Sequence, residues 1–130
     1  MGQPAAKQGD QVTATDIHII LVPSPTGTTP TPIPHPFTGI ISGSLSTNVN
    51  IMKRPAATLG STAENVPPHI PQGGAFQIPP RDRAQITTGS ARVMINGQPA
   101  ARNGDTALTC NDPVDLPNGT VIATGTVFVG

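Results

Sequence analysis

The residues of this chain with ligand chemistry are its three histidines, His18, His35 and His69, and its single cysteine, Cys110. Imidazole nitrogen and thiolate sulfur are the donors that zinc prefers. Three nitrogens at about 2.0–2.1 Å and one sulfur at about 2.3 Å complete a closed tetrahedral site of the structural kind. With four protein ligands in place there is no position for a metal-bound water, which argues against hydrolysis. Taken alone, a loop histidine is seldom a ligand, and a lone cysteine such as Cys110 is more often a buried small residue than a reactive thiol or a metal ligand. Their spacing raises the joint case.

That spacing is set by a short phrase written three times. Gly97-Gln98-Pro99-Ala100-Ala101-Arg102-Asn103-Gly104-Asp105 repeats Gly2-Gln3-Pro4-Ala5-Ala6-Lys7-Gln8-Gly9-Asp10, and Pro55-Ala56-Ala57-Thr58-Leu59-Gly60-Ser61 is a looser copy. Proline fixes φ, the alanines allow close packing, and glycine takes the corner with positive φ. His18 stands as far beyond Pro4 as His69 stands beyond Pro55, and Cys110 lies slightly nearer to Pro99. Each copy therefore carries one ligand at a similar point of the segment that follows it. His35 is outside this register, held rigidly between Pro34 and Pro36. Asp10 and Asp105 recur within the phrase, where capping of local N–H groups is their expected task.

The composition restricts what can hold these residues. The chain has 130 residues, a size for one domain spanning 1–130, with seven Lys+Arg against seven Asp+Glu. Such sparse and balanced charge leaves no footprint for nucleic acid or an anionic membrane. No apolar run approaches a membrane span, and the N-terminus lacks the profile of a signal peptide. Sixteen Pro and 14 Gly interrupt nearly every helical window, and Phe is the only large aromatic, present three times. Short bursts of Val, Ile and Ala between turns predict an all-β domain.

Along the chain, Thr15 to Val22 reads as a buried strand. Pro23 to Pro36, with six prolines, reads as an extended polyproline-like loop poor in ladder hydrogen bonds. Short strands are expected at 38–42, 46–52, 75–78, 91–95, 106–110, 120–124 and 126–129. Asn118-Gly119-Thr120 matches the glycosylation triplet but reads as a turn, and Arg81-Asp82-Arg83 reads as a solvated patch or part of a partner surface. The last strand, Thr124 to Val129, parallels Thr88 to Ile95, which runs into the third phrase. The first phrase lacks a preceding strand, and the last strand lacks a phrase. The repeat therefore reads as circularly permuted, with the N- and C-termini adjacent and three strand-plus-turn units in pseudo-threefold symmetry.

At these residues the chain resembles the PAAR-repeat family, whose name Pro99-Ala100-Ala101-Arg102 spells outright. Lys7 and Thr58 replace the arginine in the other copies, and Ser61 replaces the aspartate in the second. The resemblance implies a small β-rich cone seated on the trimeric β-helical spike of a contractile injection machine, such as a type VI secretion system or a phage-tail-like particle. It implies one structural Zn²⁺ near the apex, held by His18, His35, His69 and Cys110. It further implies a monomer that caps a trimeric VgrG-like spike protein at one tip per trimer, with effectors as further partners and transient contact with a target membrane. Such a protein is made in the cytoplasm and leaves with the particle. The Pro-rich stretch resembles the longer loops of tail-like particle variants, and no appended effector domain is expected.

Two other functions compete with this one. A small zinc hydrolase needs an open metal position and a general base, and no Asp or Glu stands at zincin-like spacing from a histidine. A delivered toxin calls for a long extra domain. The expectation is a structural protein, not an enzyme.

Overall fold

The computed structural model describes residues 2–130, so the expected junction at Met1 lies outside the described residues. Among these the chain is all β: β1 (Gln3–Pro4), β2 (Gln11–Ser24), β3 (Gly27–Gly43), β4 (Asn50–Ile51), β5 (Arg54–Pro55), β6 (Thr62–Asn65), β7 (Ala75–Phe76), β8 (Arg83–Ile86), β9 (Met94–Ile95), β10 (Gln98–Pro99), β11 (Thr106–Thr109), β12 (Leu116–Ile122) and β13 (Phe128–Val129). Strand β2 pairs with β3, β3 with β6, β6 with β8, β8 with β11, β11 with β12, and β12 returns to β2, all antiparallel. These six strands close on themselves into a ring, from which the far part of the β2–β3 hairpin extends. Strand β7 adds to the far part of β2, with Ile20 opposite Phe76.

The three turn phrases meet beside this ring and bond to one another in a closed cycle. Ala57 N–H donates to the Ala6 carbonyl at 3.0 Å, Ala101 to Ala57 at 3.1 Å, and Ala6 to Ala101 at 2.9 Å. The bridges Lys7–Ala56, Thr58–Ala100 and Arg102–Ala5 repeat the same step. Every one of the six alanines is buried. Ala6, Ala57 and Ala101 pack into the main core with Val12, Phe37, Ile41, Ile86 and Val121, whereas Ala5, Ala56 and Ala100 face a second cluster with Ile51 and Ile95. Three backbones that hydrogen-bond this closely leave room for a methyl group and little more.

The corner of each phrase is also alike. Gly9, Gly60 and Gly104 have φ of 92°, 94° and 91°. Asp10 Oδ2 accepts from Lys7 N–H, Ser61 Oγ from Thr58 N–H, and Asp105 Oδ2 from Arg102 N–H, so the capping expected of Asp10 and Asp105 is made, and Ser61 does the same. Short hairpins enter the phrases: β4 with β5, β9 with β10, and β13 with β1, the last pairing Val129 with Gln3 and Phe128 with Pro4.

The Pro-rich stretch corrects the expectation of a loop without ladders. It is one arm of a long hairpin in which β2 and β3 pair continuously from Gln11 opposite Ile40 to Ser24 opposite Gly27. The reason is the alternate placement of its prolines. Ile41 N–H donates to Asp10 within the β2–β3 ladder, whereas Thr38 N–H points the other way, to Asn65 Oδ1. Pro30, Pro32, Pro34 and Pro36 share the parity of Thr38, so their missing N–H groups belong to the outer edge and the ladder to β2 loses nothing. Strand residues 46–52 and 91–95 contract to the two-residue β4 and β9, and Asn118-Gly119-Thr120 lies inside β12 rather than in a turn.

Candidate metal centre

The ligand candidates gather at the end of the ring away from the turn phrases. Strand period places Val12, Ala14, Asp16, His18 and Ile20 on one face of β2 and Ile33, His35, Phe37 and Ile41 on the matching face of β3. His69 comes from the segment between β6 and β8, and Cys110 directly follows β11. All four are buried. The imidazole centroids lie 4.8 Å apart for His18–His69, 5.5 Å for His18–His35 and 5.6 Å for His35–His69. Cys110 Sγ is 3.8 Å from His18 Nε2. Phe76 lies against His18 and His35, and Phe37 against His69, which walls the imidazoles in.

One further group stands among them. Asp16, His18, His69 and Cys110 each offer a donor atom within 4.8 Å of the others, and all are buried. Sequence reasoning missed Asp16, although it lies two residues before His18 and so on the same face of β2, a signal that alternation alone supplies. His35 is outside that tightest set, yet its ring adjoins both other imidazoles. Its register discrepancy has a structural reason: β3 is long enough to reach this end of the molecule as well as β2.

The surroundings orient each ligand. His35 Nδ1 lies 2.8 Å from the Ile33 carbonyl, and a carbonyl can only accept, so Nδ1 carries the proton and Nε2 the lone pair. That Nε2 is buried without a hydrogen-bond partner. His18 Nδ1 faces Asp112 Oδ1 at 3.6 Å, too far for a hydrogen bond, while Asp112 Oδ2 accepts from Ile19 N–H. The His69 backbone N–H donates to Asp82 Oδ1 at 2.8 Å. Asp82 is thus a local brace within the Arg81-Asp82-Arg83 run, and Arg81 forms an ion pair with Asp115.

Burial and charge tune the donors. Burial, reinforced by the neighbouring His69, holds His18 below the usual imidazole range against the pull of Asp112 and Asp16. The Cys110 thiol is pushed up to about 12, first by burial and then by the Asp16 charge. A neutral imidazole suits a metal, and a thiol gives up its proton only to a strong competitor such as a metal ion. The buried, unpartnered Nε2 of His35 supplies the same argument from hydrogen bonding, since an orphaned buried acceptor costs about 1–3 kcal/mol. These donors fit a soft or borderline divalent ion.

The PAAR motif family model matches residues 31–115, about two-thirds of the chain and a stretch that holds His35, His69 and Cys110. The chain belongs to the PAAR-motif family. That is the family of the spike-tip proteins of type VI secretion and related contractile injection systems, whose role is structural and whose partners are spike proteins. A comparison with curated proteins gave no match. For a PAAR protein, the buried Asp16–His18–His69–Cys110 cluster is consistent with a structural metal.

Proposed function

We propose that this PAAR protein is a zinc-stabilised tip that caps and sharpens the trimeric β-helical spike of a contractile injection system and aids membrane puncture. The observation that carries the reading is the closed cycle of hydrogen bonds among Ala6, Ala57 and Ala101, which lets one chain offer three similar faces to a trimer. The short hairpins beside that cycle expose Met52, Met94, Val127 and Phe128, an apolar surface of the kind that a partner covers. We assign the zinc to His18, His35, His69 and Cys110. Each ligand comes from a different element, so one ion fastens β2, β3 and the segments after β6 and β11 against splaying on impact. A structural zinc of this kind contributes about 10–16 kcal/mol in small peptides that fold around it. In this reading the chain is a monomer made in the cytoplasm, spans one domain over 1–130, seats one copy per spike trimer and carries effectors on its outer surface.

The test is co-purification with a VgrG-like spike protein. Wild type should be retained, whereas Phe128→Asp and Met94→Asp should lose at least tenfold in affinity with unchanged metal content. Retention of both variants at wild-type affinity would reject these hairpins as the docking face.

A further inference from the structure

Asp16 is a buried carboxylate whose two oxygens are both committed, and its partners are not ordinary ones. Oδ1 accepts from Thr109 Oγ1 at 2.5 Å and lies 3.4 Å from Asn111 Nδ2. Oδ2 lies 3.0 Å from His69 Nε2 and 3.4 Å from Cys110 Sγ. The same oxygen therefore gathers two of the proposed ligand residues, drawn from segments that are far apart in the chain. Opposite Asp16 across the hairpin stands His35, whose Nε2 has no partner at all. If Asp16 took a place in the metal shell, it would abandon its Oδ2 partners and leave His35 Nε2 buried and unpaired. With His35 as the ligand, its buried Nε2 gains a partner and Asp16 keeps the partners it has.

We infer that Asp16 is a positioning residue for the metal centre: from outside the ligand shell its carboxylate accepts from His69 Nε2–H, which leaves Nδ1 as the nitrogen with a lone pair for the ion, and it accepts from the Cys110 thiol until the metal displaces that proton. The inference rests on the metal reading above and goes beyond it in assigning the group that assembles the site. A carboxylate only accepts, so the geometry requires the Nε2–H form of His69 in the metal-stripped chain. Thr109 and Asn111 lock the carboxylate from its other side, so the anchor belongs to β11 as much as to β2. Removal of outer-shell partners of this kind typically lowers metal affinity 10- to 100-fold.

The experiment uses the full-length chain, stripped with a chelator and titrated with Co²⁺ alone. Asp16→Asn should keep the wild-type visible spectrum, thiolate charge-transfer band included, while cobalt affinity falls by about 10- to 100-fold. A changed spectrum would place Asp16 in the shell, and an unchanged or tighter affinity would remove its positioning role; either overturns the inference. In case Asp16→Asn does not fold, nitrogen NMR of the stripped wild type reads the His69 tautomer directly, with Nε2–H expected and Nδ1–H overturning the inference. A wild-type chain that takes up no cobalt defeats the metal reading as well. Uptake by a chain whose His69 is Nδ1–H defeats the Asp16 inference alone.

Discussion

His35 and Asp16 face each other directly across the β2–β3 hairpin, one with a buried nitrogen lacking any partner and the other with both oxygens engaged. The pair divides the cluster into a group that waits for a ligand and a group that organises its neighbours. The predictions below follow from that division and from the cycle of turn phrases that supports it.

Metal removal should destabilise the chain substantially. An ion present at 1,000 times its dissociation constant adds about 4 kcal/mol. For a chain of this size that corresponds to a fall in Tm of roughly 10–20 °C on chelation. Calorimetry before and after chelation, with zinc restored as the control, measures it.

Cys110→Ser should weaken metal retention and lower the holo Tm toward that of the stripped protein, because serine offers no thiolate. His35→Ala should do likewise while relieving the unpaired Nε2. Its stripped form should therefore lose less than the 2–5 kcal/mol usual for truncating a large buried side chain. Elemental analysis and denaturant unfolding of both variants separate the two effects.

The stripped protein should be most stable between the ordinary imidazole and thiol values. His18 is held below 6.5, so as pH falls beneath that value the unfolded chain takes up a proton that the folded chain resists, and stability drops. Cys110 is raised from 9.0 to about 12, so the folded chain keeps a proton that the unfolded chain releases, and stability drops again as pH climbs through that range. With metal bound the thiolate is already formed, and the alkaline decline attributable to Cys110 should vanish. Tm against pH, with and without zinc, tests both limbs.

Much of this was legible in the residues themselves. The thrice-written phrase announces the cycle of bonds, because Pro-Ala-Ala followed by a glycine corner is a backbone instruction that depends little on distant contacts. Its capping residues, Asp10 and Asp105, were likewise readable. The long hairpin was not, because proline density suggests a loop, and only the parity of Pro30, Pro32, Pro34 and Pro36 against Thr38 reveals a strand with one blunted edge. Asp16 was overlooked for a different reason. A search for soft donors passes over a carboxylate, although its place two residues before His18 puts it in the same cluster.

The glycine corners offer a check on the turn phrases. Gly104 has φ of 91° and no atom near the position of a Cβ, so Gly104→Ala meets no clash and its cost is backbone strain alone. A loss of about 1–2 kcal/mol is expected in denaturant unfolding, with metal content unchanged.

The proline parity gives another. Pro32→Thr and Pro34→Thr together should leave Tm nearly unchanged, because no N–H is wanted on that side, yet increase self-association by restoring donors to an exposed edge. Light scattering at rising concentration reads the effect.

The most direct measurement is native mass spectrometry of the full chain mixed with a VgrG-like spike trimer, which weighs partner and metal together. The account predicts one chain and one zinc ion per trimer. A complex with three chains per trimer, or a chain bound without metal at wild-type stability, would contradict it.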